Sequence, residues 1–129
     1  MKKIILIISS LLIISAVVFA FNTSSSNIGG IVDSSDFITK FKNSPDSVLI
    51  DVRTPSEYES GHIEKAINVD YENSNFESEV KKLDPAKTYF VYCRSGNRSS
   101  KAIVIMNNNG IKNIYDLRGG ISSAPELLK

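Results

Sequence analysis

The chain has 129 residues, of which 42% are hydrophobic and 22% are charged, and its formal net charge is +1. This length suits one domain, and the composition is that of a globular fold rather than a disordered chain. The near-zero net charge argues against the dense Lys/Arg surface that nucleic-acid binding needs, so no nucleic-acid partner is expected. A single cysteine, Cys93, excludes an internal disulfide.

The N-terminal segment has the pattern of an export signal. Lys2 and Lys3 precede an uncharged, mostly apolar run over residues 4–21, with small residues near its end. Residues 1–21 are therefore predicted to be a signal peptide or an uncleaved membrane anchor. In both interpretations the lysines stay in the cytoplasm and the rest of the chain is exported, to the periplasm or the extracellular space. Membrane contact is then expected only through residues 4–21.

The rest of the chain divides into a tether and one domain. Residues 22–30 read NTSSSNIGG, which predicts a flexible tether, and the domain is expected over residues 31–129. Short apolar runs there alternate with amphipathic stretches, which predicts an α/β fold with a parallel sheet. Strands are expected at 48–50, 66–69, 89–92 and 114–117. Helices are expected at 36–43, 55–60, 76–83 and 99–108, with a short one near the C-terminus.

The most informative segment is 93–99, which reads CRSGNRS and lies between a predicted strand and the helix that follows. Parallel sheets bind ligands beyond the carboxyl ends of their strands, where Cys93 is expected. Gly96 permits the tight curvature that turns backbone N–H groups inward, and such a loop at a helix N-terminus binds anions. Together with Arg94 and Arg98, these dipoles favour the thiolate of Cys93 over the thiol.

An inert core thiol is the alternative interpretation of Cys93, because cysteine is among the most buried residue types. That interpretation suits a cysteine inside a strand. It suits poorly a cysteine followed by five polar or flexible residues, which would crowd an apolar pocket. The pattern therefore favours a thiol with a chemical role.

Motifs in four places resemble those of the rhodanese-domain sulfurtransferases. They occur in the order and spacing of that family, and together they span about residues 31–129. The motif at 93–99 resembles the family's active-site loop. In chain order the four are LIDVRTPSEY at 49–58, GHI followed by AIN within 61–68, CRSGNRS at 93–99 and LRGG at 117–120.

The resemblance implies a single rhodanese-like α/β domain, a five-stranded parallel sheet flanked by helices on both faces. It also implies sulfur transfer through a persulfide on Cys93, without a metal or an organic cofactor. The implied donor is a small sulfur-containing anion such as thiosulfate, and the implied acceptor is cyanide, a thiol or a protein. The candidate substrate-binding residues are Arg94, Ser95, Gly96, Asn97, Arg98 and Ser99.

Residues outside the loop are expected to support it. Asp51 ends a strand as Cys93 does, and it is expected either to accept hydrogen bonds from the active-site loop or to serve as a helix-capping or turn residue. Arg53 is expected to form a structural ion pair with Glu57. His62, the only histidine, is expected to make a structural hydrogen bond rather than act as a general base.

The chain departs from the family pattern in two places. EKA at 64–66 replaces the usual PGA, so this turn is expected to differ. The segment 121–125, after the two glycines, lacks the aromatic residue that the family commonly has there. The rim of the pocket, and with it the choice of acceptor, is therefore open.

Two other functions compete with sulfur transfer. A Cys-loop phosphatase or arsenate reductase would need an arginine six positions after the cysteine, to grip an oxyanion bidentately. Here Ser99 occupies that position and Arg98 comes one residue earlier, so the shorter loop suits a smaller sulfur group. A sulfur-carrier or binding module without turnover also stays open, because the sequence indicates a donor site and no acceptor.

Overall fold

The computed structural model describes residues 29–129, which form an α/β domain around one parallel sheet. The five strands lie in the order β1-β5-β4-β2-β3, and all four strand pairs are parallel. This confirms the predicted five-stranded parallel sheet. The elements are β1 (Gly29–Val32), α1 (Ser34–Lys42), β2 (Val48–Asp51), α2 (Pro55–Glu59), β3 (Ile67–Asn68), α3 (Phe76–Val80), β4 (Tyr89–Tyr92), α4 (Asn97–Asn108) and β5 (Ile114–Leu117), then 3₁₀ turns at Ile121–Ser123 and Pro125–Leu127.

Strand β4 is the centre of the sheet and of both hydrophobic cores. Each of its four residues is at most 1% exposed. Because alternate side chains of a strand point to opposite faces, Tyr89 and Val91 pack in one core, whereas Phe90 and Tyr92 pack in the other. Burial on both faces explains why this strand appears in the sequence as a continuous apolar run.

Helices cover both faces of the sheet, as predicted. On one face, α3 and α4 contribute Phe76, Val80, Ala102 and Met106 to the core. On the other face, Phe37 of α1 packs edge-on against Phe90, with ring centroids 5.4 Å apart.

The structure departs from the predicted elements at both ends of the domain. Strand β1 includes Gly29 and Gly30, which the sequence placed in the tether. These glycines have no side chain to give an apolar pattern, and they join the sheet through backbone pairing with β5 alone. At the C-terminus, two 3₁₀ turns replace the expected helix.

The predicted export segment, residues 1–21, and most of the predicted tether lie outside the described residues. Within residues 29–129, every helix is too short or too polar to cross a membrane. The cleavage or retention of the N-terminal segment stays a prediction.

The turn before β3 has an unusual backbone conformation. Lys65 has φ of +71°, and it is the only non-glycine residue with positive φ among residues 29–129. In this region the Cβ atom comes too close to the following carbonyl oxygen, at a cost of about 1–2 kcal/mol. The EKA turn therefore carries backbone strain at an exposed lysine side chain.

We expect Lys65→Gly to raise the free energy of unfolding by about 0.5–1 kcal/mol, because the relieved strain exceeds the extra entropy of an unfolded glycine. Chemical denaturation of both proteins measures the difference. Lys65→Ala is the matched control: it removes the same charged side chain but keeps Cβ, so it should give no gain. Equal stabilisation by alanine would contradict a backbone origin.

Candidate active site

Cys93 lies directly beyond the carboxyl end of β4 and is buried, with 1% of its surface exposed. The backbone N–H of Gly96 donates a hydrogen bond to Sγ over 3.0 Å. The hydroxyl oxygen of Ser99 lies 3.5 Å from Sγ. The sulfur therefore sits inside the curve of its own loop and in contact with the start of α4.

The loop is shaped by Gly96, which immediately precedes α4 and has φ of +99°. A residue with Cβ would be strained in this conformation. No side chain caps the helix, so the N–H groups of its first turn have no side-chain partner among the described residues. Such a helix N-terminus favours negative charge, here at the sulfur of Cys93.

The six other loop residues differ in their exposure. Arg94, Ser95 and Asn97 are exposed, Gly96 and Arg98 are half-buried, and Ser99 is buried. The loop thus surrounds Cys93 with a polar outer surface, whereas Ser99 faces inward. Helix α4 begins two residues earlier than predicted, which places Asn97 and Arg98 in its first turn.

The glycine pair at 119–120 holds the base of the loop. Gly120 has φ of +62°, and a Cβ added to it would lie 2.5 Å from the carbonyl carbon and oxygen of Arg94. The next two N–H groups donate 2.9 Å hydrogen bonds to the loop, from Ile121 to the carbonyl of Cys93 and from Ser122 to the carbonyl of Arg94. The fourth sequence motif therefore supports the third through direct backbone contact.

Arg98 is held by two carboxylates. Its Nη2 lies 2.9 Å from Oε2 of Glu57, and its Nη1 lies 3.4 Å from Oε2 of Glu72. Burial opposes the charged form of Arg98, but the hydrogen bond and the charge of Glu57 outweigh it and raise the pKa of Arg98. A negative charge on the sulfur of Cys93 would act in the same direction. Arg98 was expected to face the substrate anion, and the structure places its guanidinium between these acids.

Arg94 makes no ion pair within residues 29–129. It lines a cavity of 380 Å³ beside the loop. Ile121, Ser122 and Pro125 from the C-terminal segment line the same cavity, and no aromatic side chain takes part. The other lining residues are Arg53, Ser56, Glu57, Ser60 and Leu128.

Asp51 and Arg53 form a buried ion pair at the end of β2. Asp51 is fully buried, and Arg53 is 6% exposed. The Arg53 Nη2 lies 2.7 Å from Oδ2 of Asp51, and its Nε lies 3.0 Å from each carboxylate oxygen. The expected Arg53–Glu57 pair is therefore wrong, because Arg53 turns inward to Asp51 while Glu57 turns outward to Arg98.

A tyrosine joins this pair to the neighbouring strand. Tyr92, the residue before Cys93, donates its hydroxyl to Oδ2 of Asp51 over 2.7 Å and accepts the N–H of Ile63 over 3.0 Å. Burial and the adjacent carboxylate raise the pKa of Tyr92, so it stays a neutral donor. Asp51 also accepts the N–H of Arg53, as a turn aspartate does, and no hydrogen bond joins it to residues 93–99.

His62 makes hydrogen bonds away from the loop. Its Nδ1 lies 2.8 Å from the carbonyl oxygen of Tyr58, and its ring stacks on the tyrosine ring with centroids 3.7 Å apart. Its backbone exchanges two hydrogen bonds with Lys129. These are contacts of the structural kind expected for this residue.

Sequence reasoning missed Asp116, which lies in the middle of β5 and is 6% exposed. Its Oδ1 has no hydrogen-bond partner among the described residues. Burial raises the pKa of Asp116 to about 6, although the Ser99 hydroxyl and the Leu117 N–H act in the opposite direction. The available signal was an acidic residue inside an apolar strand, which seldom occurs without a reason.

We expect Gly120→Ala to lower the free energy of unfolding by about 2–4 kcal/mol, since the new Cβ would overlap the Arg94 carbonyl and φ is positive. The alkylation rate of Cys93 should fall as well, because the loop must shift. Chemical denaturation and iodoacetamide labelling measure the two effects.

Gly110→Ala is the control for this change. Gly110 has φ of +90°, but no atom lies within 4 Å of its added Cβ. It should cost only about 1–2 kcal/mol and leave alkylation unchanged. Equal effects of the two variants would contradict a role of close backbone contact at Gly120.

Comparison with solved structures identifies the same architecture in other proteins. A rhodanese-related protein from Thermoplasma volcanium aligns with a TM-score of 0.63 and 34% identity, over 74% of this chain and 89% of that one. An uncharacterized protein from Saccharomyces cerevisiae aligns with a TM-score of 0.64 and 31% identity, over 78% of this chain and 93% of that one.

Among curated proteins, the tRNA uridine(34) hydroxylase of Pectobacterium carotovorum is 38% identical over 90 residues. The match covers 67% of this chain and 25% of that protein. The chain thus spans about a quarter of the length of this relative. The family model of the rhodanese-like domain matches residues 35–124. This range includes the sequence motifs that contain Asp51, Cys93 and Gly120. The chain therefore belongs to the rhodanese-like domain family.

Proposed function

We propose that this domain is a sulfurtransferase that carries sulfane sulfur as a persulfide on Cys93. The observation that supports it best is the environment of Sγ, which accepts the Gly96 N–H at the uncapped N-terminus of α4. These groups favour an anionic sulfur over a neutral one. They would serve equally for the thiolate and for the terminal sulfur of a persulfide.

The proposed loading step begins with attack by the Cys93 thiolate on the outer sulfur of thiosulfate. A bond forms between Sγ and that sulfur, the bond to the sulfonate sulfur breaks, and its electron pair leaves with sulfite. The product is a Cys93 persulfide anion. Cyanide or a thiolate then attacks the terminal sulfur, and the electron pair of the S–S bond returns to Sγ as thiolate.

Arg94 is the cation that we assign to the donor anion. It is exposed, it lines the cavity beside the loop, and it has no carboxylate partner within residues 29–129. Arg98 instead contributes a fixed positive charge near Cys93, since its guanidinium is bound by Glu57 and Glu72. This division of roles also disfavours a phosphatase, which needs a free guanidinium for bidentate binding of phosphate.

The curated relatives are named for action on tRNA, which conflicts with the expectation of no nucleic-acid partner. That name belongs to proteins about four times as long as the matched region. Without Lys2 and Lys3, the 15 basic residues of this chain become 13, against 14 acidic ones. Such a balance does not supply the positive surface of an RNA-binding protein, so we keep a small anion as the proposed substrate.

Export of the domain is part of the proposal and rests on the sequence of residues 1–21. In that location, a lone cysteine must receive its sulfur acceptor from outside the chain. The N-terminus of the mature protein, determined by intact mass spectrometry of secreted or membrane-bound material, tests this part. An unprocessed chain in the cytoplasm would contradict it.

We expect the purified protein to gain one sulfur atom after incubation with thiosulfate and to lose it on addition of cyanide. Intact mass spectrometry measures both changes. Cys93→Ser is the matched variant and should gain none, because it has no thiolate to form the persulfide. A failure of the native protein to gain sulfur from any sulfane donor would overturn the proposed function.

We expect Arg94→Ala to raise the KM for thiosulfate roughly ten-fold, which corresponds to the loss of one charge-assisted hydrogen bond. Lys87→Ala is the control, because it also removes one positive charge. Lys87 lies two residues before β4, and Cys93 follows the other end of that strand. Steady-state turnover with thiosulfate and cyanide measures both. An equal rise in KM for the control would attribute the effect to net charge rather than to Arg94.

A further inference from the structure

The charged side chains around the loop at residues 93–99 balance one another. Three guanidinium groups lie there, and three carboxylates bind two of them. The guanidinium groups are those of Arg53, Arg94 and Arg98, and the carboxylates are those of Asp51, Glu57 and Glu72. The net charge of these side chains is zero, so an anion that enters the site meets no excess of positive side-chain charge.

Glu57 neutralises Arg98 more closely than Glu72 does. Oε1 and Oε2 of Glu57 lie 3.2 and 2.9 Å from Nη2 of Arg98, whereas Oε2 of Glu72 lies 3.4 Å from Nη1. The side chain of Glu57 is 34% exposed and that of Glu72 is 56% exposed. Because charges are screened less where less solvent reaches them, Glu57 has the stronger effect on Arg98.

Glu57 also lines the 380 Å³ cavity that Arg94 lines. Its carboxylate therefore opposes a bound anion twice, by offsetting the charge of Arg98 and by repelling the anion directly. Coulomb energy is proportional to the charge of the ligand. A doubly charged donor such as thiosulfate is thus opposed about twice as strongly as a singly charged donor at the same position.

The rest of the cavity suits an apolar group better than a second negative charge. Ile121, Pro125 and Leu128 form its apolar part, and its other lining residues apart from the charged ones are serines. The volume lies in the range of about 300–1,000 Å³ in which cavities bind organic molecules. Thiosulfate has no apolar group that could use this surface.

We propose that Glu57 sets the charge of the sulfur donor that this site accepts. The preferred donor is a sulfane anion with one negative charge and an apolar group, rather than thiosulfate. The inference rests on the proposed sulfurtransferase function and names the donor class for it. Glu57 is then a specificity-determining residue that acts largely through Arg98.

An organic thiosulfonate represents this donor class, and its loading step differs from that of thiosulfate only in the leaving group. A bond forms between Sγ of Cys93 and the outer sulfur of the thiosulfonate. The bond from that sulfur to the sulfonyl sulfur breaks, and its electron pair leaves with the sulfinate. The products are the Cys93 persulfide anion and a sulfinate with one negative charge, so the total charge is conserved.

Steady-state kinetics with two donors test the charge selectivity. Thiosulfate carries two negative charges and benzenethiosulfonate one, and both present a terminal sulfur on a sulfonyl group. Glu57→Gln keeps a hydrogen-bond acceptor for Arg98 but removes the charge. With cyanide as acceptor, kcat/KM should rise about three-fold for benzenethiosulfonate and about ten-fold for thiosulfate, since the factor for a dianion is the square of that for a monoanion.

Glu59→Gln is the matched control, because it removes the same charge from the same helix. Glu59 is exposed, does not line the cavity and makes no ion pair within residues 29–129. The ratio of the two kcat/KM values should stay that of the native protein. The same change of ratio in Glu59→Gln as in Glu57→Gln would overturn the proposal, and so would an equal effect of Glu57→Gln on both donors.

The salt dependence is a measurement that a merely structural role of Glu57 would not change. In the native protein, kcat/KM for thiosulfate should vary little with salt, because the site has no net side-chain charge to screen. In Glu57→Gln it should fall as salt is added, because salt screens the new attraction. Identical salt dependences of the two proteins would contradict the proposal.

The apolar part of the cavity is tested at constant charge. Benzenethiosulfonate should have a KM roughly three- to ten-fold lower than methanethiosulfonate, because its ring buries more apolar surface. Equal KM values would overturn the preference for an apolar group.

If Glu57→Gln does not fold, Glu72→Gln replaces it. Glu72 is exposed and its contact with Arg98 is longer, so this variant should shift the donor ratio in the same direction by a smaller factor. An unchanged ratio would overturn the proposal.

Intact mass spectrometry keeps this inference separate from the proposed function. A gain of one sulfur atom by the native protein from either donor supports sulfur transfer, even where the kinetics overturn the charge selectivity. The absence of any gain from both donors would overturn the proposed function instead.

Discussion

The carboxylate of Asp51 is the constraint on which the arrangement of the site depends. It is fully buried, and an uncompensated charge in such a place would cost several kcal/mol. Arg53 and Tyr92 together provide the compensation, so the end of β2 is bound to the end of β4. Because Tyr92 precedes Cys93 and also accepts the N–H of Ile63, the same contacts fix where the loop at residues 93–99 begins.

The dipoles and charged side chains around Cys93 are arranged in two layers. The inner layer consists of neutral dipoles, the Gly96 N–H and the start of α4, which favour negative sulfur without a counter-ion. In the outer layer Arg98 is bound by Glu57 and Glu72, whereas Arg94 is available at a cavity. A bound anion would thus meet one available guanidinium.

Much of the fold could be predicted because the strands are buried on both faces. β4 appears as a continuous apolar run and β5 as an apolar run interrupted by Asp116, and the strands were predicted at residues 89–92 and 114–117, as the structure has them. β1 could not be predicted, since Gly29 and Gly30 join an edge through backbone hydrogen bonds that leave no side-chain pattern. The conformation of Lys65 was equally hidden, because its sequence gives no sign of positive φ.

The sequence by itself determined the family, the parallel sheet and the position of Cys93 in a polar loop before a helix. These follow from local patterns: apolar runs, a glycine that allows tight curvature and a lone thiol beside two arginines. Only the tertiary structure decided which charges meet. Arg98 lies 41 residues from its partner Glu57 in the sequence, and Tyr92 lies 41 residues from its partner Asp51. Ion-pair choice depends on distance and burial across elements, which a local pattern does not encode.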